Sequence, residues 1–131
     1  MARKTRQPAA AACATPSAER AVLRALQQQA LNALQAGHRA YLNAVSSNDP
    51  NAECLLTRNH RLDQAAARVE AKILKNIQAE LQILAANVGQ QREELETALN
   101  SLQKAVRHGE SAAQAAAWLD RINLLLLRIL A

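Results

Sequence analysis

Leu23, Leu26, Ala30, Leu34, Gly37, Tyr41 and Val45 follow one another at steps of three and four. That spacing sets side chains on one face of an α-helix, so a helix over about 16–45 is expected. Much of its stripe is small, with Ala30, Ala33, Gly37, Ala40 and Ala44. Small residues let a neighbouring helix come close. A glycine inside a helix costs ~1 kcal/mol relative to alanine, so close packing is the expected reason for Gly37. Thr15, Pro16 and Ser17 mark the start. The hydroxyls can cap free backbone N–H groups, proline suits the first turn, and Glu19 suits the positive end of the dipole.

Ser46-Ser47-Asn48-Asp49-Pro50 is the clearest interruption. Asp49 as cap, Pro50 at the first helical position and Glu53 in the first turns predict a second helix. From Leu55 onward the apolar pattern is close to heptad. Leu55, Leu62, Ala66, Val69 and Ile73 form one series. Leu74, Ile77, Leu81, Leu84, Val88, Leu95, Ala98, Leu102 and Ala105 form another, with Gln91 its one polar member. A sustained 3.5-residue repeat indicates coiled-coil-like packing. Either one helix spans about 50–107, or the chain reverses at 87–91, beside Gly89. The single helix would be ~85 Å long at 1.5 Å per residue and would find no partner to match. The reversal is therefore expected.

Lys104, Arg107 and His108 before Gly109 read as a helix end, and Ser111 as a new start. The last helix, about 110–130, is the most hydrophobic part of the chain. Trp118, Ile122, Leu125 and Ile129 make one line, which Leu119, Leu126 and Leu130 widen. Leu124 and Leu127 carry the apolar arc towards the back, leaving Arg121 and Arg128 as a narrow polar strip. So broad an arc has to be covered on two sides, by the rest of a bundle or by another chain.

Composition strengthens the helical reading. Half of the 131 residues are hydrophobic, yet there is no Phe, one Trp and one Tyr. Ala and Leu supply nearly all of the apolar content, and β-branched residues are scattered singly, so no segment reads as a strand. The expected fold is all-α. It is an antiparallel bundle of three to four long helices with coiled-coil-like packing over 15–131, preceded by a disordered basic tail over 1–14. The net charge is +5, of which Arg3, Lys4 and Arg6 place +3 in the tail and leave +2 on the rest. A body so near neutrality is not an obvious polyanion binder.

Cys13 and Cys54 are too few for a disulfide framework and read as unpaired thiols in a reducing compartment. No apolar run follows the basic N-terminus as a secretory signal requires, although its lack of acids before Glu19 loosely fits a transit peptide. No stretch reaches the ~20 apolar residues of a membrane span. A cytoplasmic protein is expected.

Candidate chemistry is sparse. His38, His60 and His108 have no His or Cys three or four residues on, so no local metal-ligand pair is formed. The acids alternate with bases at helical spacing, the pattern of a solvated face. There is no glycine-rich phosphate loop, no nucleophile elbow and no Glu-x-x-His pair. An enzyme, a cofactor and a small-molecule substrate are not expected. What remains is a protein-interaction module (an adaptor, an assembly subunit or a chaperone of the secretion type) acting on a protein partner or on its own copy. Trp118, Ile122, Leu125, Leu126 and Ile129 are its expected contact, with Trp118 as anchor. The alternative is non-specific nucleic-acid binding through the basic tail and the face of Arg61, Arg68, Lys72 and Lys75. The near absence of stacking aromatics weighs against it. A membrane-surface role for the last helix is weaker still, because its polar strip is thin.

Overall fold

The computed structural model describes residues 17–131, which form four helices: α1, Ala18–Ser46; α2, Ala52–Lys75; α3, Gln78–Arg107; and α4, Ala112–Leu130. The expected basic tail, together with Cys13, Thr15 and Pro16, lies outside the described residues. Among the described residues there is no strand, and the all-α bundle is as expected.

Each helix runs antiparallel to the one before it, but the neighbours are not those of a simple meander. α1 packs on α2 and on α3, and α4 packs on α3 and on α2. α1 and α4 face each other across one diagonal, α2 and α3 across the other. Cross-links fix the directions. Arg24 on α1 reaches Glu70 on α2 at 2.7 Å, and Asn87 on α3 donates to the carbonyl of Ile129 on α4 at 3.0 Å. Arg58 on α2 meets Asp120 on α4 at 2.8 Å, and further along the same pair Arg68 and Leu127 share a groove. Hence α2 and α4 are parallel neighbours. The core is one continuous cluster of leucine, isoleucine, valine and alanine contributed by all four helices.

The turns follow from local chemistry. After α1, Asn48 adopts the left-handed conformation (φ 57°), and the Asp49 N–H returns to the Ala44 carbonyl at 2.8 Å. Gly109 does the same after α3 (φ 65°), with the Glu110 N–H on the Ala105 carbonyl at 3.0 Å. Both satisfy carbonyls that a helix end leaves open. Ser17 and Ser111 cap α1 and α4 by accepting from the N–H groups of Arg20 and Gln114.

Two expectations are corrected. The chain does not reverse at 87–91; α3 runs unbroken through Gly89 and Gln91. It reverses instead at Asn76, left-handed at φ 54°, and Ile77, extended. Leu74 and Ile77, which continue the heptad series across this break, are 68% and 45% exposed rather than in the seam. The apolar period persists by coincidence while the chain turns under it. Asp49 is likewise not the cap of α2, whose N-cap is Asn51. Its carboxylate accepts from the Asn51 N–H and from the Ala112 N–H, both at 2.9 Å, and so ties the α1–α2 turn to the start of α4.

Candidate interaction surface

α4 carries two apolar seams, each stepping by three and four. Ala112, Ala115, Leu119, Ile122, Leu126 and Ile129 are all buried. Ala113, Ala117, Asp120, Leu124, Leu127 and Ala131 are all exposed, with Leu124 at 42% and Leu127 at 55%. A heptad seam on the solvent side of a helix has the geometry by which a further helix packs.

Of the residues expected at a contact, the structure places Ile122, Leu125, Leu126 and Ile129 in the core of their own bundle, each 1% exposed or less. With the bundle closed they meet their own chain. Trp118 is partly buried against that core and lines a cleft with Glu93, Glu94, Thr97 and Arg121. The side chains that α4 offers outward are Leu124 and Leu127. Their place at the back of the apolar arc was visible in the sequence; that this back stays open was not.

A groove of about 590 Å³ runs between α2 and α4 beside the outer seam, lined by Arg61, Gln64, Ala65, Arg68, Asn123 and Leu127. No acid lines it. Nearer the α1–α2 turn the same helix pair forms a second hollow around Cys54, Ala113, Ala116 and Ala117. The Arg58–Asp120 ion pair lines this second hollow. The Asp120 hydrogen bond raises the Arg58 pKa, and Arg58 also donates to the Cys54 carbonyl at 2.9 Å. The one acid of the outer seam is thus neutralised. On the far side of the seam Arg121 pairs with Glu94 of α3, and Arg128, seven residues on, is exposed.

The four basic residues of α2 expected to meet nucleic acid, Arg61, Arg68, Lys72 and Lys75, do not act alike. Arg61, Arg68 and Lys75 recur at seven-residue steps and are exposed. Lys72 is half-buried and held by Glu80 at 2.9 Å, a contact that lowers the Glu80 pKa. Arg61 and Arg68 therefore form the edge of an apolar groove more than an isolated cationic face.

A second apolar stripe lies outside α1, where Leu31, Leu42 and Val45 are exposed and Leu34 is half-buried. Leu31, Leu34, His38 and Leu42 line a shallow groove of about 680 Å³ there. Because α1 and α4 are diagonal, the two stripes point in opposite directions. Among the described residues no three His, Cys, Asp or Glu side chains gather to hold a metal ion, and no helix is long and apolar enough to cross a membrane. Comparison of the chain with protein-family models, with curated proteins and with solved structures gives no match.

Proposed function

We propose that this protein is a non-enzymatic helical interaction module, an adaptor or assembly subunit that presents apolar helix faces to another chain. The observation that carries the reading is the outer seam of α4, in which Leu124 and Leu127 stand exposed at coiled-coil spacing. Apolar side chains scattered singly over a surface need no explanation, but an ordered exposed row marks a contact. The exposed thiol of Cys54, unpaired among the described residues, suits a reducing, cytoplasmic setting. Nucleic-acid binding through Arg61, Arg68 and Lys75 is the second reading, favoured by their common exposed face.

The test is the double variant Leu124→Glu/Leu127→Glu, compared with the parent chain by light scattering over a range of concentrations and by cross-linking in cell extract. Both positions are outside the core, so helicity and thermal midpoint should stay near those of the parent. Self-association or a cross-linked partner seen with the parent should be lost. An association that survives the variant, or no association in either measurement, rejects the reading.

A further inference from the structure

We propose that the outer seam of α4 is the docking site for an acidic amphipathic helix of a different protein. The inference rests on the interaction-module reading and adds the chemistry of the partner. The seam lies between two rows of arginine. Arg61 and Arg68, seven residues apart on α2, edge the groove on one side; Arg121 and Arg128, seven apart on α4, follow the other. In a helical packing such flanking positions select the partner, because they meet its own flanking side chains at two-turn intervals. Of the acids that reach this region, Asp120 and Glu94 are engaged by Arg58 and Arg121, and Glu93 lines the Trp118 cleft on the α3 side, away from Arg61 and Arg68. Arg61, Arg68 and Arg128 make no ion pair among the described residues. What complements them is a helix with leucine-like side chains along one seam and Glu or Asp beside it.

A second copy of this chain does not supply that helix. Two outer seams of α4 brought together would oppose arginine rows of like charge. The apolar stripe of α1 is accompanied by Arg24, His38 and Arg39, all exposed. The exposed acids Glu93 and Glu96 of α3 lie on a face whose other members, Gln90, Thr97 and Asn100, are polar. The outer face of α2 exposes Leu56 and Leu74 beside Glu53 and Asp63, but His60, Asp63 and Ala67 stand between the two leucines, and Ile83 of α3 stands alone, so neither forms a continuous leucine seam between acidic rows. A duplex nucleic acid would use the arginines but leave Leu124 and Leu127 without a role.

The experiment is a titration of the full chain into a labelled peptide of about four heptads, with Leu at both seam positions and Glu at both flanking positions, followed by fluorescence anisotropy. Glutamate at every flank keeps such a peptide from pairing with itself. Saturable binding that weakens with salt is expected. It should fall at least tenfold in Arg61→Glu/Arg68→Glu and in Leu124→Glu/Leu127→Glu, and persist in Arg39→Glu on the opposite face. Circular dichroism melting confirms that each variant is folded. Absence of binding at low salt overturns the inference, as does binding that ignores the arginine variant. If a Gln-flanked peptide binds equally well and only the leucine variant abolishes it, the acidic partner is rejected while the seam stands as an interface. Binding of random-sequence duplex DNA through Arg61 and Arg68, with no peptide binding, overturns it in favour of the nucleic-acid reading.

Discussion

At Gly37 helix α1 gives up ~1 kcal/mol of helix propensity relative to alanine, and the neighbouring helix explains why. A Cβ there would collide with the Oδ1 atom of Asn59 on α2 and lie 3.2 Å from Cδ2 of Leu119 on α4. Asn59 is buried, and that oxygen has no hydrogen-bond partner among the described residues. The glycine thus makes room for a carboxamide at the meeting of three helices. Gly37→Ala should cost about 1–2 kcal/mol by urea unfolding, since overpacking outweighs the gain in propensity. Adding Asn59→Ala should return part of that loss, so the double variant is less damaged than the sum of the single ones. Gly89 provides the contrast. It lies in the middle of α3 with nothing within 4 Å of its missing Cβ. Gly89→Ala should raise stability by about 0.5–1 kcal/mol in the same measurement.

For an element, burial is decided by which side of the helix has a neighbour. Leu126 and Leu127 are adjacent in α4, yet one is fully buried and the other 55% exposed. Leu126→Ala should cost about 2–5 kcal/mol of unfolding free energy, because it leaves a cavity at the centre of the bundle. Leu127→Ala should change stability by no more than about 0.5 kcal/mol. Equal losses would mean that the outer seam is packed in solution. The joints between elements carry their own prediction. Asp49 holds the α1–α2 turn to α4, and the Ala112 and Asn51 N–H groups it accepts from keep its pKa below the usual range. A carboxylate whose folded pKa is depressed stabilises the fold above its unfolded value and loses that contribution as pH falls through the folded value. Asp49→Ala should therefore lower the thermal midpoint at pH 7. The gap to the parent should close below about pH 4.

Over the whole molecule, three more carboxylates tie one end of the bundle together. Glu19 accepts from Gln78, Glu70 from Gln27 and Arg24, and Glu80 from Lys72; these bonds hold each pKa below the usual glutamate range. They link α1 to α3, α2 to α1 and α3 to α2 around the Asn76 turn. With Asp49 at the other end, stability should be level above about pH 5 and fall towards pH 3 as these groups take up protons. Thermal melts across that range should show the decline, and high salt should blunt it, because all these side chains reach solvent. At this scale the diagonal arrangement matters most. It turns the apolar stripes of α1 and α4 to different sides of the bundle, where Leu31 and Leu42 on one and Leu124 and Leu127 on the other stay exposed.

The helical class, the break at Asp49-Pro50 and the left-handed end at Gly109 are determined by the sequence itself, since each depends on residues within one or two turns. The same holds for the excess apolar arc of α4, where Leu124 and Leu127 extend a line already complete without them. Only the tertiary structure decided which side of that arc would be covered. Periodicity states that a face is apolar but not what lies against it, so Ile122, Leu125, Leu126 and Ile129 looked as available for a contact as Leu127. The reversal at Asn76 escaped for a related reason. Leu74 and Ile77 keep the heptad register across the turn, and register carries no information about chain direction. The local signal there, Lys72 and Lys75 ahead of an asparagine able to adopt the left-handed conformation, is weaker than glycine at a helix end. Long-range packing of α1 against α3 and of α2 against α4 then settled which seams close within the chain and which stays open on α4.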